Sequence, residues 1–196
     1  GRVAAGAVCA GMKVVVVPGG LVATVERVAT VGGSGGGGEA GDAGDTALSL
    51  APATLAIAGQ GAELTLAGLP GPEAVAAGCV LCPVSAPCPS PSSFTARLTV
   101  LDTHGAPPLL RGASVTLHAH ALQAAAVVSG LVALVDEAGA ITRAKPRLVP
   151  QGATALVTIT PAGPVAVEAA ELCAALGRIV VRDRGRTVAV GVVVDG

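Results

Sequence analysis

Cysteine and histidine are the residues of this sequence whose types and spacing point most directly to chemistry. Cys79 and Cys82 form a CxxC pair, Cys88 follows closely, and His118 and His120 occupy alternate positions further along the chain. Thiolate and imidazole are the ligands that zinc prefers, so this set raises the hypothesis of a small zinc module. The sequence contains neither a second CxxC nor an HxxxH pair, one of which a typical zinc motif requires. The pattern therefore favours small buried cysteines and surface histidines, with zinc as the alternative.

Cysteine usage also indicates the compartment. The chain has five cysteines, an odd number, at irregular spacing, which is not typical of a disulfide framework. We therefore expect a reducing, cytoplasmic environment.

A cluster of arginines lies near the C-terminal end, in the segment RIVVRDRGRTVAV. Alternate residues of a strand face the same side, which predicts that Arg178 and Arg182 share a face, near Arg184 or Arg186 across a turn. Guanidinium groups bind phosphate and carboxylate through paired hydrogen bonds. We predict Arg178, Arg182 and Arg186 as partner-binding residues, and the alternative is the solvated end of a hairpin.

Catalytic motifs are not evident. The P-loop and the HExxH motif do not occur, and the match to GxGxxG at Gly33, Gly35 and Gly38 falls inside a glycine run that would produce it by chance. The acidic residues are scattered or sit in turns. We predict no catalytic residue, no cofactor-binding residue and no metal ligand in this chain.

Composition excludes several classes of protein. Hydrophobic residues are 52% and charged residues 13% of 196, with a net charge of -1, so neither charge-driven disorder nor a broad basic surface for nucleic acid is expected. Phe94 is the single aromatic residue, which leaves a core of Val, Leu, Ile and Ala and no platform for stacking bases. The longest apolar stretch, 121–135, is shorter than the roughly 20 residues that span a membrane, so no membrane partner is expected.

Short apolar segments separated by glycine and proline predict antiparallel strands along most of the chain. Pro18 to Gly20 predict a hairpin turn, and the Pro-Ala-Gly-Pro turn at 161–164 predicts a strand on either side. Stretches 121–135 and 165–176 are rich in alanine and leucine, which favours helix by propensity, but the ten-residue spacing of their surroundings favours strands.

The proline- and serine-rich segment 82–93 cannot pair in a sheet and predicts a boundary. We expect two consecutive antiparallel β-barrels: residues 1–91, with a glycine-rich loop at 32–45, and residues 92–196.

The assembled residues resemble the two C-terminal barrels of translational GTPases of the elongation factor 1 alpha class. GRVAAGAVCAGMKVVVVPGG and EAGDAGDTALSL are similar to elements of the family's second domain, which is also called translation-factor domain II. LGRIVVRDRGRTVAVGVV is similar to a signature of its third domain, the C-terminal barrel shared with elongation factor Tu. GCVLC and VTLHAHALQAAAVVSGLVALVDEAGAITRAKPRLV resemble the Hbs-type ribosome-rescue factors more than the elongation factor itself, and eukaryotic release factor 3 is a near relative.

The resemblance implies a parent protein that binds GTP and Mg²⁺ in a GTPase domain absent from this chain, and that docks Pelota and the ribosome. Contact with a tRNA or rRNA backbone and a monomeric state are further expectations. The alternative is a fragment of elongation factor 1 alpha or release factor 3, which delivers aminoacyl-tRNA or a release factor. The first barrel would lack its initial strands, so we expect residues 1–91 alone to be poorly soluble and residues 93–196 to fold independently.

Overall fold

Antiparallel strands make up nearly all the regular structure in the described part of the chain. The computed structural model describes residues 1–31, 50–102, 108–136 and 138–195, so the glycine-rich loop predicted at 32–45 lies entirely outside the described residues. Within those ranges, strands that precede residue 84 pair only with one another, and strands that follow residue 93 pair only with one another.

The first group of strands forms a curled half-barrel. It comprises β1 (Ala7–Cys9), β2 (Lys13–Val17), β3 (Leu21–Val31), β4 (Leu50–Ala53), β5 (Leu55–Ile57), β6 (Ala62–Ala67) and β7 (Val80–Pro83). The main sheet has the order β4-β3-β2-β7 with β6 also paired to β3, and β1 pairs with β5. The predicted hairpin turn is confirmed between β2 and β3. Small aliphatic side chains, among them Val14, Val25 and Val28, fill the concave side.

The second group forms a closed six-stranded barrel. It comprises β8 (Phe94–Val100), β9 (Leu109–Leu110), β10 (Ser114–Ala119), β11 (Leu122–Val135), β12 (Ile141–Ala144), β13 (Leu148–Val149), β14 (Thr154–Pro161), β15 (Arg178–Asp183) and β16 (Arg186–Asp195). The order β10-β15-β16-β8-β14-β11 is closed by pairing of β10 with β11, while β12 extends from β11 and β9 pairs with β13. The predicted all-β class with two successive barrels, the first incomplete, is confirmed.

Strict alternation along the strands builds the second core. In β8 the side chains of Phe94, Ala96, Leu98 and Val100 are buried, whereas those between them face outward. Because a strand turns successive side chains to opposite faces, the barrel is lined by aliphatic residues and one phenylalanine, and polar residues cover its outside. The sequence predicted this pattern correctly.

The two alanine-rich stretches differ from each other. Residues 122–135 are strand β11, as their spacing predicted. Residues 165–173 belong to no strand or helix, and the only helix nearby is the single turn α1 (Ala174–Gly177). The expected strand after the Pro-Ala-Gly-Pro turn was therefore wrong. Val165 and Val167 are buried in the barrel core, while Ala166 is buried against the first group of strands. The segment is therefore held in place by burial of its side chains on both sides and not by hydrogen bonds to a neighbouring strand.

A third cluster of buried residues joins the two groups of strands, and we call it the junction cluster. It consists of Val15, Val17, Cys82, Cys88, Ala166 and Leu176, with Val80 and Cys173 packed against it. Beside it, a side chain at Gly78 would meet Leu122 of β11 at 2.8 Å, so the first group also touches the second barrel there.

Among the residues that the structure describes, no helix is both long enough and apolar enough to cross a membrane.

Candidate functional site

Two of the predicted partner-binding arginines lie at the tip of the β15–β16 hairpin. The tip is formed by Arg184 and Gly185, both with positive φ, as the sequence predicted. The Arg182 guanidinium folds back and donates a hydrogen bond from Nη2 to the Gly185 carbonyl, and its Nε is buried. Arg186 is exposed and pairs across the hairpin with Asp183. Arg182 therefore stabilises the turn, and Arg186 alone of these two presents a free outward side chain.

Arg178 lies at the opposite end of the same strand. Arg182 follows Arg178 by four positions, which is a distance of about 13 Å along the strand at the usual rise per residue. A register shift after Val181 places Arg182 opposite Thr187. The three predicted residues thus do not form one compact patch.

The structure places another arginine in register with Arg178, two strands across the sheet. Arg178 on β15 pairs with Val192 on β16, and Val192 pairs in turn with Arg97 on β8. Both arginines are exposed and Val192 is half-buried. We call this row of three residues the basic row. It puts two permanent positive charges on either side of an aliphatic side chain on the outer wall of the barrel.

A shallow groove of about 270 Å³ adjoins the basic row. It is lined by Arg97, Ala170, Glu171, Val192, Val193 and Val194. The Ala170 amide donates a hydrogen bond of 3.0 Å to the Val193 carbonyl, which holds the segment before α1 against β16. Leu172, two residues further along that segment, is 78% exposed. Val194, on β16 at the other side of the groove, is 47% exposed.

Two glycines allow this close packing. At Gly177 an added Cβ would overlap the Ala170 backbone, and at Gly191 it would lie 2.9 Å from both the Arg97 carbonyl carbon and the Leu98 Cα. Because β8 and β16 approach so closely at Gly191, the positions of Arg97 and Val192 are fixed by the barrel ladder. The basic row and the groove together form a surface that combines two exposed arginines with apolar side chains and one carboxylate, Glu171.

Sequence reasoning missed Arg97 as a member of this surface. The alternation of FTARLTV already turned Arg97 outward between Thr95 and Thr99. Its neighbour could not be found in the same way, because β8 and β16 are about 90 residues apart in sequence and only their register makes Arg97 and Val192 adjacent.

The cysteines and histidines of the zinc hypothesis are dispersed. Cys82 and Cys88 are buried in the junction cluster, Cys79 is half-buried outside it, and His118 lies on the outer face of β10. His120 is in the turn after β10, where its Nε2 lies 3.0 Å from the Ala166 carbonyl oxygen. Across the four described ranges, no group of three or more His, Cys, Asp or Glu side chains is arranged to hold a metal ion. The zinc alternative finds no support there.

The sequence of the closed barrel matches a known family of domains. The family model described as GTP-eEF1A C-terminal domain-like matches residues 93–194, which is more than half of the chain and includes all but the last residue of the closed barrel. The chain belongs to this family. In this member of the GTP-eEF1A C-terminal domain-like family, the basic row and the groove lie on the outside of the barrel that the family model matches.

Individual relatives agree with this assignment. Elongation factor 1-alpha of Thermofilum pendens is 36% identical over 103 residues, which is 52% of this chain and 23% of the relative. Protein HBS1 of Drosophila melanogaster is 32% identical over 143 residues, which is 72% of this chain and 21% of the relative. The chain thus spans about a quarter of the length of these curated relatives or less.

A solved structure extends the likeness in fold to both groups of strands. The crystal structure of sup35 complexed with GDP matches with a TM-score of 0.82 and 23% identity, over 99% of this chain and 42% of that chain. The curled half-barrel followed by a closed barrel is therefore an arrangement that this chain shares with sup35.

Proposed function

We propose that this chain is the docking half of an Hbs-type ribosome-rescue GTPase, and that it binds a Pelota-type protein and the ribosome. The observation that carries the proposal is the extent of the HBS1 likeness. It covers 143 residues, whereas the likenesses to elongation factor 1-alpha cover about 103, little more than the closed barrel. Similarity that continues into the first group of strands favours the Hbs type over the elongation factor.

The basic row and the groove supply the surface for such docking. Arg97 and Arg178 are both exposed and would pair with carboxylates of the partner, while Val192, Val194 and Leu172 would cover its apolar side chains. Apolar contact with charged groups at its edge is the usual arrangement of a protein interface, in which charge steers association and fixes register. Arg186, exposed at the hairpin tip, adds a positive charge at the far end of the same hairpin.

A binding titration tests the proposal. The chain, labelled at its N-terminus, is titrated with a purified Pelota-type protein and followed by fluorescence anisotropy. Arg97→Glu and Arg178→Glu should each weaken binding by about tenfold, which corresponds to roughly 1.4 kcal/mol per lost charge pair. Arg27→Glu is the matched control, because Arg27 is an exposed arginine on β3 and makes the same change of charge away from the surface. Equal affinities for all four proteins, or no binding by any of them, would refute the proposal.

A second candidate is a fragment of elongation factor 1 alpha or release factor 3. The likeness of the closed barrel to archaeal elongation factor 1-alpha, at 33 to 37% identity, favours it. The same titration with aminoacyl-tRNA distinguishes the two candidates. Tight binding of aminoacyl-tRNA without binding of the Pelota-type protein would select the elongation factor.

Other parts of the proposal concern the parent protein. GTP and Mg²⁺ would be bound by a separate GTPase domain, and this chain would brace that domain and hold the partner. We further propose a cytoplasmic location, a monomeric state, and contact with RNA only through backbone phosphates. Arg178, Arg182 and Arg186 would supply charge for that contact, since the chain has no Trp or Tyr on which a base could stack.

A further inference from the structure

Three thiols from three separate segments meet in the junction cluster. Cys82 is on β7, Cys88 is in the linker that follows β7, and Cys173 directly precedes α1 of the second barrel. None of them takes part in the docking surface or in a disulfide. Their meeting point is the contact between the two groups of strands, so a covalent bond here would change how these groups are connected.

Contacts within the cluster are close. The Cys88 amide donates a hydrogen bond to the Cys82 sulfur over 3.3 Å, which places the linker directly on β7. The Cys88 thiol in turn lies 3.5 Å from the Pro89 carbonyl oxygen, to which it donates. Cys173 packs against the same cluster from the second barrel, next to Leu176. The Cys173 amide donates a hydrogen bond of 3.0 Å to the Ala169 carbonyl, which fixes the position of the Cys173 backbone.

The three thiols differ in access. Cys82 and Cys88 are 6% and 8% exposed, whereas Cys173 is half-buried and so is the one that a small reagent reaches first. Burial, followed in order of effect by the neighbouring Cys82, Glu168 and Cys173, raises the pKa of the Cys88 thiol from 9.0 to about 12. At neutral pH the inner thiol is therefore protonated and slow to react.

We propose that Cys88 and Cys173 form a redox pair that closes a disulfide across the junction when the chain meets a small disulfide oxidant. Cys173 thiolate attacks one sulfur of glutathione disulfide, the oxidant's S–S bond breaks, and one glutathione thiolate leaves. Cys88 thiolate then attacks the Cys173 sulfur and expels the second glutathione thiolate. Two protein thiols lose two protons and two electrons, and one glutathione disulfide becomes two glutathione thiols.

This bond joins the linker to the second barrel and closes a loop through most of that barrel. A long cross-linked loop restricts the unfolded chain, so the oxidised protein gains stability at the junction. A disulfide between Cys82 and Cys88 would close only a short loop and would not connect the two groups of strands, because Cys82 is on β7 and Cys88 is in the linker that follows it.

Peptide mapping of the full chain tests the proposal. The protein is incubated in buffers of increasing ratio of glutathione disulfide to glutathione, alkylated, digested without reduction and analysed by mass spectrometry. The expected product is one disulfide that links the peptides of Cys88 and Cys173, absent from Cys173→Ser and retained in Cys79→Ser. The rate of its formation should rise about tenfold for each pH unit between 7 and 9, because the thiolate fraction of Cys88 rises tenfold per unit below its pKa.

Three results would overturn the proposal. One is that both thiols remain free at every ratio. Another is a disulfide between Cys88 and Cys82. The third is a stable mixed disulfide on Cys173 that Cys88 never displaces. Mapping of the unsubstituted chain decides among these results without any variant, so a variant that fails to fold leaves the test intact.

Discussion

Gly191 offers the sharpest structural test, because no other residue fits at its position in the β16–β8 ladder. A Cβ there would lie 2.9 Å from the Arg97 carbonyl carbon and from the Leu98 Cα, and closer still to the Arg97 carbonyl oxygen. Carbon atoms pack at about 3.5 Å or more, so Gly191→Ala must push the two strands apart by at least about half an ångström. The barrel is closed on both sides of this pair, so the strands cannot separate without loss elsewhere.

The expected loss of stability follows from the pairing of β16 with β8. Weakening about two backbone hydrogen bonds costs roughly 1–3 kcal/mol, and overpacking adds about 1–3 kcal/mol. Alanine restricts the unfolded chain and returns up to about 1 kcal/mol. We expect the free energy of unfolding to fall by about 3 kcal/mol, which lowers the Tm by roughly 10 °C.

Urea unfolding followed by circular dichroism measures this loss. Gly163→Ala is the control, because a Cβ at Gly163 meets nothing within 4 Å and its φ is not in the left-handed region. That variant should stay within about 0.5 kcal/mol of the unsubstituted chain. If Gly191→Ala is as stable as Gly163→Ala, the register of β16 on β8, and with it the basic row, is wrong.

Further predictions concern the core and the junction. Leu98→Ala should destabilise the protein by about 2–5 kcal/mol in urea unfolding, since Leu98 is fully buried, whereas Leu110→Ala, at a residue 46% exposed, should cost less than about 1 kcal/mol. The raised pKa of Cys88 means that the folded state keeps a proton that the unfolded state loses, so its contribution is complete below pH 9 and is lost as the pH rises towards 12. Cys88→Ala should therefore flatten the fall of unfolding free energy between pH 9 and pH 12, and an unchanged slope would contradict the burial of this thiol. Gly78→Ala, at φ +97° and against Leu122, should loosen the junction and speed amide hydrogen exchange there, while exchange in the rest of the second barrel stays constant.

Local patterns predicted the fold well where strands alternate and turns carry their usual residues. The β8 alternation around Phe94 and the Gly185 hairpin tip both need only short-range information, and both were correct. Segment 165–173 was different. Its apolar residues resemble a strand, but Val167 faces the barrel core while Ala166 faces the other group of strands, and no sequence signal distinguishes burial between two bodies from pairing in a sheet.

The candidate site was predicted only in part for a related reason. Arg178 was found because it lies in a charged strand, but its closeness to Arg97 depends on the order of β15, β16 and β8, which local sequence does not specify. Arg182 was expected on the same surface, yet its guanidinium bonds back to the turn because the β-bulge brings the Gly185 carbonyl within reach. Neither the pairing of strands that are distant in sequence nor a single side-chain hydrogen bond can be predicted from local sequence patterns.

Hydrogen–deuterium exchange of the chain with and without a Pelota-type protein tests the central claim most directly. The docking account predicts slower exchange in three segments of the second barrel: residues 168–173, strand β15 (Arg178–Asp183) and residues 190–194 of β16. Arg97→Glu should raise by about tenfold the partner concentration at which that protection appears, without altering exchange in the free protein. Protection confined to the first group of strands, or no protection at a partner concentration that saturates binding, would contradict the account.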